Sequence, residues 1–183
     1  MKRHGWAEEH AICLLEGDQR RTAHTRAVVL CATSLGRTLV PDPEDRTILI
    51  EAAWLHDIGY APGLALTGVH HLDGARHVAE LGEERLACLV AHHGSGKAEA
   101  TLRGLADDLA EFPPETSLVA DILTYCDLSS GPDGTHVDLA ERLSEVRTRY
   151  GDDHVVVRGL DASSELIEGA FARVDAALKA TTV

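Results

Sequence analysis

The sequence predicts an all-α protein folded as a single-domain helical bundle. Apolar residues recur at three- and four-residue spacing along most of the chain. Gly and Pro stand between the periodic segments rather than inside them. The only extended candidate is 154–158, HVVVR, too short to make a sheet by itself.

Residues 6–16 place Trp6, Ile12, Leu14 and Leu15 among acids, and Gly17 stops the helix. Residues 19–39 continue as a longer helix with Ala27, Val28, Leu30, Cys31 and Leu35. Pro41 and Pro43 precede a third helix over 44–57, where Ile48, Leu49, Ala52 and Leu55 share a face and Gly59 ends it. Residues 61–69 contain Pro and two Gly and read as a loop. Two helices follow over 71–81 and 83–93, parted near Gly82. Residues 97–110 read as an exposed helix. Pro114 can open the next helix, 114–127, because a first turn tolerates a missing N–H. Helices over 137–150 and 161–180 complete the chain. Trp54 and Leu55 belong to the core. No internal repeat or composition break divides residues 1–183, so one domain is expected.

Composition excludes several classes. Of 183 residues, 44% are hydrophobic, neither a disordered nor a fibrous balance. A chain of this length buries about two-thirds of the surface it would expose unfolded. No apolar run is long enough to span a membrane, and the start, MKRHGWAEEH, lacks the apolar region of a signal peptide. A cytoplasmic protein without a membrane partner is expected. Lys plus Arg number 17 against 30 Asp plus Glu, a net charge of −13, which argues against a duplex nucleic-acid partner. Cys13, Cys31, Cys88 and Cys126 sit in apolar stretches with no C-x-x-C spacing. They read as free, buried, reduced thiols rather than zinc ligands.

The 11 histidines are more than composition explains. His4, His10, His77, His136 and His154 are scattered, and structural or solvated imidazoles are the plain reading. The other six fall differently. His24 lies inside the second helix, and His56-Asp57 closes the third. His70 and His71 follow the Gly-rich loop, and His92-His93 closes the fifth helix. Asp127 ends the apolar run LVADILTYC. Apolar helices ending in such pairs present imidazole and carboxylate beside the core. Bundles build metal sites in this way, and the donors suit Fe, Mn, Zn or Mg.

The ordered set A-H-T-R at 23–26, H-D-I-G at 56–59, V-H-H-L-D-G-A-R at 69–76, A-H-H-G at 91–94 and Y-C-D at 125–127 resembles the HD superfamily of metal-dependent phosphohydrolases. The resemblance covers about residues 20–130 and leaves 131–183 as accessory helices. It implies an HD-type bundle with a metal site at its centre. One divalent ion would be held by His24, His56, Asp57 and Asp127. A second would share Asp57 and take His70, His92 and His93, with His71 as an alternative to His70 and His93 either a ligand or a support. Two ions are expected, from among Fe, Mn, Zn, Co, Ni or Mg.

The implied chemistry is hydrolysis of a phosphate ester or anhydride, a nucleotide among the candidate substrates, by a metal-activated hydroxide. A divalent pair neutralises phosphoryl oxygens and lowers the pKa of bound water to roughly 7. His56 and Asp57 would then be catalytic. Arg26 and Lys97 could add positive charge, with Arg76 and Arg103 behind them, although a solvated surface cation is the plainer reading of each. The family often has Lys after H-D-x-G, and here Tyr60 stands in its place. Asp73 reads as a helix N-cap and Asp121 as structural. Ser129 and Ser130 could line the mouth of the site, but turn chemistry also explains them.

Two other readings share the ligand order: a mixed-valent di-iron oxygenase and a non-catalytic metal- or nucleotide-binding regulator. The doubled His92-His93 leans toward the hydrolase. The sequence leaves the substrate, the metal and the oligomeric state open.

Overall fold

Capping chemistry sets most of the helix boundaries. In the computed structural model, which describes residues 5–181, α1 (Trp6–Leu14) leads to α2 (Gln19–Leu39), whose N-cap Asp18 accepts from the Arg21 amide at 2.8 Å. α3 (Pro43–Leu55) opens on Asp42, which accepts from the Glu44 and Asp45 amides. Pro43 occupies the first turn, where no N–H is needed. A short 3₁₀ turn, Ile58–Tyr60, follows. Then come α4 (His70–Glu80), α5 (Glu84–His92), α6 (Gly96–Leu102), α7 (Ala106–Leu109), α8 (Leu118–Leu128), α9 (Leu139–Tyr150), α10 (Val155–Ala162) and α11 (Ser164–Thr181). Among the described residues the only β pairing is an isolated bridge between Ser130 and His136, and no helix is long and apolar enough to cross a membrane. His4 lies outside the described residues.

Five expectations need correction. The segment 97–110 is two helices, broken at Gly104 with φ +74°, and Gly96, Glu99 and Ala100 are buried. Pro114 opens no helix; α8 starts four residues later, where Ser117 accepts from the Ala120 amide at 3.2 Å. Residues 155–158 are helical despite three consecutive β-branched residues. His154 caps α10, and Val157 and Leu160 bury on one face, so packing overrides propensity. Asp73 is a brace rather than a cap: its buried carboxylate accepts from the Leu66 and Thr67 amides and holds the 61–69 loop. Nor are the thiols uniformly buried, since all four are free but Cys13 is exposed and only Cys126 is buried.

α2, α3, α4, α5 and α8 enclose the main core, where Leu49, Leu55, Ile58, Leu72, Leu86, Ile122 and Leu123 are fully buried. Each such side chain contributes roughly 1.5–3 kcal/mol. α11 lies along α8, where Arg173 pairs with Asp121 at 2.7 Å. A second, smaller apolar cluster joins Leu128, Val146, Val157, Leu160 and Ile167 from α8 to α11. The histidine-rich ends of α3 and α5 face the seam between the two clusters.

Candidate metal centre

His56 and His93 occupy equivalent positions. Each is the residue immediately after its helix, α3 or α5. Each also places Nδ1 against the carbonyl three residues back: His56 on Ala53 at 2.8 Å and His93 on Val90 at 2.7 Å. A carbonyl only accepts, so Nδ1 carries the proton and Nε2 keeps its lone pair. Such an imidazole is oriented for a metal.

Asp57 faces two groups of donors. Its Oδ2 lies 3.4 Å from His56 Nε2 and 3.7 Å from His24 Nε2, and its Oδ1 lies 3.4 Å from His70 Nε2. His24 Nε2 also lies 3.1 Å from Asp127 Oδ1. The donors of His24, His56 and Asp57 fall within 4.8 Å of one another, as do those of His70, His71 and His93. The backbone permits this because residue 59 is glycine. A Cβ there would lie 2.0 Å from the His70 carbonyl oxygen, so only glycine lets the turn after Asp57 rest on the start of α4.

At His70, His71, His93 and the two carboxylates, protonation states favour a cation. Burial alone would raise Asp57, but Arg21 and His56 hold it well below the usual carboxylate range. Asp127 is likewise lowered against its burial by His24 and His56. Burial, then neighbouring charge, lowers His70 and His71 well below the ordinary imidazole value and pushes His93 down to about 4. His56 goes the other way: against its burial, Asp57, Asp127 and the Ala53 carbonyl together raise it, so a metal would have to displace its proton. Neutral imidazoles and ionised carboxylates are the forms that bind divalent metals. His71 adds a buried Nδ1 with no hydrogen-bond partner. The donor set therefore fits one or two divalent ions.

The chain matches the family model for the HD domain over residues 21–130. The chain belongs to the HD domain family. HD domains generally bind divalent metals, and the two donor groups of this one could hold them. No curated protein and no solved structure matches the chain.

Of the residues expected in this HD centre, His24, His56, Asp57, His70, His93 and Asp127 come together with His71. His70 and His71 lie side by side, with both imidazoles in one donor group. His92 is elsewhere. It lies in the last turn of α5, and its Nε2 bonds the Phe112 carbonyl at 2.6 Å. Together with Lys97 it lines a different cavity of about 260 Å³ behind His93 and Gly94. Arg26 is exposed: two residues on from His24, it points to the other side of α2. Arg76 pairs with Asp108 and Arg103 with Glu99.

Other cations reach the centre. Arg21 lies one helical turn before His24 and donates to Asp57 Oδ2 at 2.6 Å. Helical spacing could have found it, since positions three apart share a face. Arg142 and Arg149 enter from α9, seven residues apart, with no motif to mark them. Tyr60 is sandwiched: its ring stacks on His70 at 4.0 Å, and Arg21 lies 3.7 Å from its centroid on a cation–π contact. Ser129 and Ser130 are buried, the latter hydroxyl donating to the Cys126 carbonyl.

Proposed function

We propose that this HD domain is a metal-dependent phosphohydrolase acting on a phosphate ester or anhydride. The observation that carries the reading is Asp57, whose two oxygens face two separate groups of histidines, as a residue shared by two ions would. His24, His56, Asp57 and Asp127 would hold one ion, and His70, His71 and His93, with Asp57, the other. When bound, divalent ions neutralise phosphoryl oxygens and acidify water.

The chain's own residues prepare the rest. The Nδ1 bonds of His56 and His93 fix their Nε2 atoms in place without rotation. Arg21, Arg142 and Arg149 bring positive charge to the same cavity, which suits an anion better than the chain's net charge of −13 suggests. Leu128, Val146, Val156 and Leu160 wall one side and limit water.

One observation favours the oxygenase reading. With His92 turned away, the set His24, His56-Asp57, His70, His93 and Asp127 is also the one that reading requires. His71 in the second group and the arginine-lined cavity weigh toward phosphoryl hydrolysis. The test is elemental analysis of the isolated protein with a panel of phosphomonoesters, diesters and nucleotides, run alongside an oxygen electrode. Metal content with phosphate release supports the proposal. Oxygen uptake on iron-loaded protein with no phosphate release from any substrate overturns it.

A further inference from the structure

α9 places Arg142 and Arg149 on one face, over the cavity whose floor holds Asp57 and His70. Their arrangement is unusual for surface cations. Arg142 is only 7% exposed. It donates from Nη1 to Glu145 Oε2 at 2.6 Å, while its Nε is buried with no partner. Arg149 donates from Nε and Nη2 to Glu145 Oε1 at 2.9 and 2.6 Å, and Arg20 reaches the same oxygen at 3.1 Å. Three guanidinium groups thus share one carboxylate, and Glu145 positions them without neutralising them. Nothing in the fold of α9 requires a buried, half-satisfied guanidinium, which costs stability unless a ligand completes it.

The space they enclose is small. About 60 Å³ is free beside Asp57, His70, Arg21, Arg142 and Arg149. At roughly 10–15 Å³ for each water, that is room for about four to six waters, a space on the scale of one small anion rather than of a bulky group. The same arginines line an adjoining mouth between Asp18 and Pro132, through which the rest of a substrate would reach solvent.

We propose that Arg21, Arg142 and Arg149 clamp the terminal phosphoryl group of a phosphomonoester, and that this site selects monoesters over diesters. A monoester presents three non-bridging oxygens to forked donors and sends its single organic group out through the mouth. A diester offers two such oxygens and carries a second substituent that this small space must also accept. The substrate class rests on the phosphohydrolase reading; the anion clamp itself can be measured without turnover.

The experiment is calorimetric titration of the isolated protein, its metal content recorded, with inorganic phosphate and with dimethyl phosphate. Phosphate should bind about tenfold or more tightly than dimethyl phosphate. Arg149→Gln and Arg142→Gln should each weaken phosphate binding by about tenfold or more at unchanged metal content. Arg85→Gln, a surface arginine paired with Asp45 and Glu115, should bind phosphate as the parent does. If burying Gln at 142 prevents folding, Arg149→Gln decides alone, since that side chain is 24% exposed. Unchanged phosphate affinity in the folded arginine variants, or equal affinity for the two anions, overturns the proposal. Arginine-dependent phosphate binding with no hydrolysis of any monoester would leave the clamp standing and remove the hydrolase. Hydrolysis with arginine-independent phosphate binding would do the reverse.

Discussion

The Arg21 guanidinium donates to Asp57 Oδ2 at 2.6 Å, the same oxygen that faces His24 and His56. Arg21 therefore supplies, without metal, positive charge where the first ion would sit. Both side chains are largely buried, at 16% and 5% exposure, so removing one partner leaves an uncompensated charge. Arg21→Gln should destabilise the metal-free protein by about 2 kcal/mol, a melting temperature roughly 4–8 °C lower. Saturating Mn²⁺ should remove more than half of that deficit, because the ion takes over the charge at Oδ2. Equal deficits with and without Mn²⁺ would show that Arg21 and the ion do not share this carboxylate.

Asp57→Ala should remove both ions, since each donor group includes or adjoins one of its oxygens. Elemental analysis checks this directly, and full metal content would refute the shared-carboxylate assignment. Asp57→Asn keeps the side-chain volume if the alanine variant folds poorly, and it should also bind less metal. His77→Ala is the control. Its ring stacks on His10, the two Nε2 atoms 2.7 Å apart on the α1 side of α4, and metal content should not change.

Much of this centre is legible in the sequence because helix ends are. An apolar periodic run followed by His-Asp places both residues beside the core whatever the details of packing. His56 needs nothing more than α3 and the Ala53 carbonyl three residues back. The pair at 92–93 is harder. Periodicity alone does not fix a helix end to one residue, and that one residue decides that His93 turns inward and His92 bonds Phe112. Arg21 was within reach of helical spacing, whereas Arg26, though nearer His24 in sequence, faces away. Arg142 and Arg149 had no such signal. They line the same cavity as Asp57 only because the chain folds α9 back across a seam between two apolar clusters, a tertiary fact that no local pattern carries. The HVVVR segment went to helix for the same reason.

The contrast between His92 and His93 can be measured. His93→Gln should lower the metal content by about half, because it removes one imidazole from the second donor group and leaves His24, His56 and Asp127 intact. His92→Gln should keep full metal content. It should cost about 1 kcal/mol in a urea titration, the typical worth of one hydrogen bond such as that to Phe112. Loss of metal from the His92 variant, with retention in the His93 variant, would reverse the assignment.

Acid should unfold the metal-free protein earlier than its carboxylates alone would dictate. His93 is pushed down to about 4 by burial and then by His56, against about 6.5 in an unfolded chain. Between those values the unfolded chain takes a proton that the folded protein refuses, so stability falls as pH falls from 6.5 toward 4. For His93 alone the loss is roughly 3 kcal/mol over the window. His70 and His71, also lowered by burial, act in the same direction. His56 opposes them: its raised value contributes stability that is full below 6.5 and is lost as pH rises through its folded value. Asp57 and Asp127, both lowered, keep their contribution through this window and lose it only in stronger acid. Three histidines outweigh one, so urea midpoints of metal-free protein should drop steadily from pH 7 to pH 4.5. His93→Gln should flatten that slope, because glutamine has no proton to take. A midpoint that holds constant or rises toward pH 4.5 would mean that these imidazoles are not held neutral in the fold.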